Sequence, residues 1–326
     1  MKIITLDEEQ TQIAPRHTFC FYGPTGTGKT TFAATFPRPV FLSELTESGY
    51  ESLRGFATGS LFESNVKPLI LGIEKMNDMA VAREALAPHI ASGMIRTVVI
   101  DSLTFYADLY LNYLFGIHTG AGANLKAYGA LGQHLRDLRV RWHQMGCNVV
   151  SLCLPQDPHE DQPNGLPSIP GKEAGKFGAS CDFLCYFRHD RYKQGNTSVE
   201  SFEVHSKPYG KYVARARRAV GTIELPNPLV NGTYSKMIQH LGYDVDATRA
   251  ALPAYQNPMA AISTFLARSQ VVAAPPVSAA APAAARHVPN AAAKPHVPTA
   301  ARPANGRPSP AVTRRPASAG RLGNNS

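Results

Sequence analysis

Eight consecutive residues near the amino end, Gly23-Pro24-Thr25-Gly26-Thr27-Gly28-Lys29-Thr30, satisfy every fixed position of the pattern G-x-x-x-x-G-K-[ST]. Their types suit one task, holding a chain of phosphates. Glycines at 23, 26 and 28 let the backbone close into a nest whose N–H groups face anionic oxygens. Lys29 brings a mobile positive charge to the outer phosphates, and the Thr30 hydroxyl is suited to ligate Mg2+. Pro24, Thr25, Thr27 and Thr31 complete the stretch that would touch the ligand. The flanks agree. Residues 17–22 read as a buried strand, and residues 30–36 as a helix whose N-terminus faces the anion. The expected ligand is a nucleoside triphosphate with Mg2+. No Asn-Lys-x-Asp guanine signature occurs, which leans toward ATP.

A second acid stands where such a site needs one. Asp101 ends the apolar run 96–101, about seventy residues beyond the phosphate loop, the expected place for a carboxylate in the shell of the metal. The alternative is a strand-end Asp that caps the next helix. The elements that must position these residues alternate between strand and helix, the pattern of an α/β fold with a mainly parallel sheet. Strands are expected at 38–43, 67–73, 96–101 and 148–154, with helices at 77–92, 104–115, 125–145 and 257–269. Met79, Ala82, Leu86 and Ile90 share one helical face, as do Leu131, Leu135, Leu138 and Trp142. Two antiparallel strands are expected at 181–190 and 197–205. Residues 116–122 and 157–180 read as loops, the second rich in Pro, Gly and charge.

The chain of 326 residues carries a net charge of +9, and that charge is unevenly placed. Seven basic residues and no acid lie in 269–326, which leaves +2 for everything before it. An Ala/Pro-rich polycation of this kind buries too little apolar surface to order itself, so a disordered tail is expected. It would add nonspecific affinity for nucleic acid, or serve as a solubilising or partner-binding extension. The five cysteines at 20, 147, 153, 181 and 185 sit mostly in apolar runs, which suggests buried thiols rather than a disulfide framework. Nothing reads as a signal peptide or membrane span, so a cytoplasmic protein without membrane contact is expected.

Taken in order, several stretches resemble the phage-encoded RecA-core ATPases associated with single-strand annealing and recombination. They are residues 22–30, 36–42, 99–104 (Val-Ile-Asp-Ser-Leu-Thr) and 146–150, then Pro170-Gly171-Lys172 followed by Cys181-Asp182-Phe183. Many AAA-type motors place Glu directly after the strand-end Asp, whereas here it is Ser102. The resemblance covers roughly residues 18–226 and implies a RecA-like P-loop core with a C-terminal antiparallel extension. The implied organisation is an N-terminal segment 1–16, an ATPase domain 17–240, a helical segment 241–268 and the tail 269–326.

The resemblance also implies roles. Glu47 would polarise the attacking water, with Glu44 as the alternative. Gln156 would sense the γ-phosphate, although Pro155 departs from the Asn or Ser usual before it. Arg215 and Arg217 alternate within the basic stretch 211–218. They would reach a neighbouring subunit's site in a homo-oligomeric ring or filament, or else serve as a basic strand edge. Single-stranded DNA would meet the two loops, with Lys126, Lys172 and Lys176 on phosphates and Phe177 stacking on a base. His159-Glu160-Asp161 makes the second loop's start less suited to DNA. Three jobs are compatible with these residues: an ATPase acting on single-stranded DNA, a replicative helicase or helicase loader, and a nucleotide-gated binding module. The tail would recruit a phage or host replication or recombination protein.

Overall fold

The apolar runs become strands buried on both faces. The computed structural model describes residues 13–44, 48–54, 61–194, 197–217 and 224–273, all within one compact unit. In chain order the first elements are β1 (Thr18–Tyr22), α1 (Lys29–Ala34), β2 (Pro39–Glu44), β3 (Leu69–Ile73), α2 (Asp78–Ala91), β4 (Thr97–Asp101), α3 (Leu103–Ile117) and α4 (Ala123–Gln144). There follow β5 (Asn148–Cys153), β6 (Pro155–Gln156), β7 (Leu166–Pro167), α5 (Glu173–Ser180), β8 (Phe183–Gln194) and β9 (Thr197–His205). The last are β10 (Arg215–Ala216), β11 (Leu229–Val230), α6 (Tyr234–His240), α7 (Val245–Ala250) and α8 (Met259–Ala273).

Nine of the described strands form one sheet in the order β11-β9-β8-β1-β5-β4-β2-β3, with β10 also on β8. From β8 to β3 every pairing along that order is parallel, whereas β9, β10 and β11 add antiparallel pairs. The expected α/β core and antiparallel extension are therefore present. Alternate strand residues point to opposite faces. Cys20, Tyr22, Leu42, Ile100 and Val149 pack beneath α2 to α5 and α8. Phe19, Phe21, Phe41, Val99 and Phe187 pack beneath α1 and α6. Helices on both faces explain why these strands are apolar throughout instead of alternating. All five cysteines are buried and free. No described helix is long and apolar enough to cross a membrane.

Residues 157–180 differ from the expected loop. β6 and β7 form a small antiparallel ribbon, and residues 173–180 form α5. The helix exists because Ala174, Phe177 and Gly178 recur at helical spacing and enter the core. Its buried Glu173 is held by Arg136 and Lys176. Phe177 is only 1% exposed, so its expected stacking on a base is corrected: it is a core residue. α8 runs to Ala273, four residues past the expected helix end.

Candidate nucleotide site

Parallel strands in one sheet bring their carboxyl ends together, and this juxtaposes the two sequence motifs. β1 delivers the phosphate loop and β4 delivers Asp101, with β5 between them. The Thr30 hydroxyl donates to Asp101 Oδ2 at 2.9 Å. The loop is closed by its own atoms: Lys29 Nζ donates to the carbonyls of Gly23 and Pro24, each at 2.7 Å, and Thr27 Oγ1 donates to Pro24 O at 2.7 Å. Gly28 is the N-cap of α1 at φ +83°, in the left-handed region that favours glycine. At Gly23 the demand is space, since a Cβ would lie 2.2 Å from the Phe187 carbonyl oxygen on β8. Pro24, Thr25, Gly26 and Thr31 are exposed, whereas Thr27 is buried.

Asp101 is not the helix cap. That task falls to Ser102, whose hydroxyl accepts from Phe105 N at 3.4 Å. Burial pushes the Asp101 carboxyl above its ordinary range, and the Thr30 hydrogen bond and the Lys29 charge offset this only in part. A desolvated carboxylate beside a threonine hydroxyl fits a divalent cation, whose charge would favour the ionised acid. Among the described residues no group of three or more His, Cys, Asp or Glu could hold a metal. Mg2+ takes one or two protein oxygens and completes its shell with phosphate and water. Thr30 Oγ1 and Asp101 Oδ2 are two oxygens of that kind, 2.9 Å apart.

Glu44, half-buried at the end of β2, shares a small hollow with Asp101, Ser102 and Tyr106. Glu47 lies outside the described residues. A Cβ on Gly49 would come within 4.0 Å of Asp101 Oδ2, so the backbone just after Glu47's position passes close to the acid. Gln156 is half-buried on β6, three residues beyond Cys153, whose carbonyl accepts from Gly23 N at 3.4 Å.

The arginine pair stands elsewhere. Arg215 pairs with Leu184 at the amino end of β8, opposite to the phosphate loop. Its guanidinium donates to the carbonyls of Ala179 and Cys181 at the end of α5. Arg217 lies 3.6 Å from Asp182 Oδ1 and reaches the same Ala179 carbonyl. Lys126, Lys172 and Lys176 are exposed.

On the other side of α1 lies a cavity of about 220 Å3 that the motifs do not mark. Thr27, Gly28, Thr31, Phe187, Phe202 and Asn231 are among its walls. Nothing local distinguishes Phe202 from any other aromatic on a strand, and only the sheet brings it to Gly28.

No curated protein matches the chain. A family model described as AAA domain matches residues 16–213, more than half of the chain and the whole segment from β1 through the 2.9 Å Thr30–Asp101 contact to β9. The chain thus belongs to the AAA-domain family of P-loop ATPases.

Proposed function

We propose that this protein hydrolyses ATP in a Mg2+-dependent reaction of the RecA-like type and couples nucleotide state to single-stranded DNA in phage recombination or annealing. The observation that carries the reading is the Thr30–Asp101 contact of 2.9 Å beside Lys29, at the carboxyl ends of strands separated by β5. Lys29 would neutralise charge on the outer phosphates, and the loop's N–H groups would hold them in line. Thr30 and Asp101 would hold Mg2+, which supplies electrostatic stabilisation of the transferred phosphoryl group. Glu47, or Glu44 in the hollow it shares with Asp101, would orient the attacking water. Gln156 would sense the γ-phosphate. Ser102 in place of Glu after the strand-end Asp supports the RecA-like subtype. The DNA contact rests on exposed Lys126, Lys172 and Lys176 and on the basic tail.

Phosphate release by the full chain, with and without single-stranded DNA, tests this. Stimulated turnover that Lys29→Ala lowers by about 10²-fold or more is expected, and a Lys29→Ala protein with normal turnover would end the reading.

One observation favours a second reading, a nucleotide-gated module with negligible turnover that binds a partner through its tail. Arg215 donates to the carbonyls of Ala179 and Cys181 of its own chain, and the exposed Arg217 lies 3.6 Å from Asp182 Oδ1. Tight Mg·ATP binding with turnover unchanged by DNA or by protein concentration would select it. Arg215→Ala separates the roles of that side chain: a finger that completes the neighbour's site in the homo-oligomer predicts lost turnover with ATP binding kept, whereas a helix-end clamp predicts only a lower Tm.

A further inference from the structure

The cavity beside α1 begins at the phosphate loop and runs away from Asp101. Thr27, Gly28 and Thr31 form its near wall, and Phe187, Phe202, Val204 and Asn231 the far one. A nucleotide whose γ-phosphate points to Asp101 must place its base on the side away from that acid. At about 220 Å3 the hollow has room for a planar bicyclic ring but not for the sugar and phosphates as well.

Phe202 is held in place for a stacking role. A Cβ on Gly28 would lie 3.1 Å from its Cδ1, and His189 stacks on it at 4.9 Å between centroids with 21° between planes. The ring nonetheless remains 38% exposed. Asn231 is fixed as well. Its Oδ1 accepts from Phe202 N at 3.1 Å, and its own N–H donates to Phe202 O at 2.7 Å. With Oδ1 so engaged, Nδ2 is the amide donor that this lining residue has to offer. Among the described residues the lining contains no Asp or Glu. Both purines offer N7 as an acceptor and guanine also offers O6, but at ring position 1 adenine accepts from an amide N–H whereas guanine's own N–H would meet it donor to donor.

We propose that this cavity receives the base of the nucleotide, that Phe202 is its stacking wall, and that the Asn231 amide makes the site prefer adenine to guanine. The proposal rests on the phosphate-loop reading above, and its test separates the two. Calorimetric titrations of the full chain with Mg·ATP, Mg·GTP and Mg·tripolyphosphate supply the comparison, since the last has phosphates and no base. The wild type should bind ATP more tightly than tripolyphosphate. Phe202→Ala should weaken ATP on the order of ten- to hundredfold and leave tripolyphosphate unchanged, with Phe202→Trp restoring ATP. Asn231→Asp keeps the oxygen that accepts from Phe202 N and exchanges the amide donor for a second acceptor. It should therefore shift the ATP:GTP preference toward GTP by about tenfold.

Equal wild-type affinity for ATP and tripolyphosphate would overturn the base site while leaving the phosphate loop intact. So would a Phe202→Ala protein that loses both ligands in parallel, because Phe202 would then only support Gly28. An unchanged ATP:GTP preference in Asn231→Asp would overturn the assigned selectivity. Wild-type protein that binds neither ATP nor tripolyphosphate would remove the phosphate-loop reading and the base site together.

Discussion

Asp101 and Asp182 stand at opposite ends of the same parallel sheet, and their surroundings differ in kind. Asp101 closes β4 at the carboxyl edge, where burial outweighs one threonine hydroxyl and the Lys29 charge and its pKa is raised. Asp182 precedes β8 at the amino edge. Burial acts on it too, but the Thr18 amide and hydroxyl together with His17 and Arg217 prevail, so its pKa is lowered. The Thr18 N–H and Oγ1 reach Asp182 Oδ2 at 2.9 and 2.8 Å. One acid is fully satisfied by its own chain and the other is left short of positive charge. The fold uses the first to tie strand to strand, and keeps the second at a cost that a cation can offset.

The strongest way to break this contrast is to neutralise each acid in turn. Asp101→Asn should lower ATP turnover by about 10²-fold or more and leave the Tm of the ligand-free protein equal to or above that of wild type. A large loss of Tm would instead make Asp101 structural. Asp182→Ala should do the reverse. It strands the Thr18 donors, at a cost of about 1–3 kcal/mol, and should leave turnover per folded molecule unchanged. Chemical denaturation and phosphate release on the same samples read both quantities.

Acidity supplies a finer and smaller test. The ordinary value for both carboxyls is 3.8. Asp101 has a folded-state pKa above that value. Its contribution to folding is therefore fully present at lower pH and is lost as pH rises through the raised pKa. Asp182 has a folded-state pKa below it, so its contribution is present at higher pH and lost as pH falls through the lowered pKa. A cation at Asp101 competes with a proton. The rise in Tm produced by Mg·ATP should thus shrink as pH falls toward the raised pKa of Asp101, and more steeply in the wild type than in Asp101→Asn. An identical slope in the two proteins would show that Asp101 does not meet the metal.

Much of the candidate phosphate site was legible because its determinants are local. A loop of glycines around Lys29 and Thr30 can do little else between a buried strand and a helix, and Asp101 is announced by the apolar run before it. Ser102 as the cap of α3 was not foreseen, since Asp101 and Ser102 are both acceptable caps by type and only the backbone geometry separates them. The stretch 157–180 was misread for a related reason. Its Pro and Gly content masks the short helical period of Ala174, Phe177 and Gly178, which acquires meaning only when a core is available to receive it. Phe202 and Asn231 left no trace at all, because what matters about them is a neighbour 174 positions earlier for Phe202, at Gly28, and a hydrogen bond across 29 positions for Asn231.

By itself, then, the order of residues determined the glycine-rich loop between β1 and α1, the alternation of strands and helices, and the acid that closes β4. These follow from backbone freedom, side-chain period and charge within a few residues of each position. Tertiary structure alone decided which acid would be compensated, which aromatic would face the loop, and where the arginine pair would lie. Those are outcomes of strand order, and strand order is set by burying both faces of one sheet at once, a condition that no short segment carries.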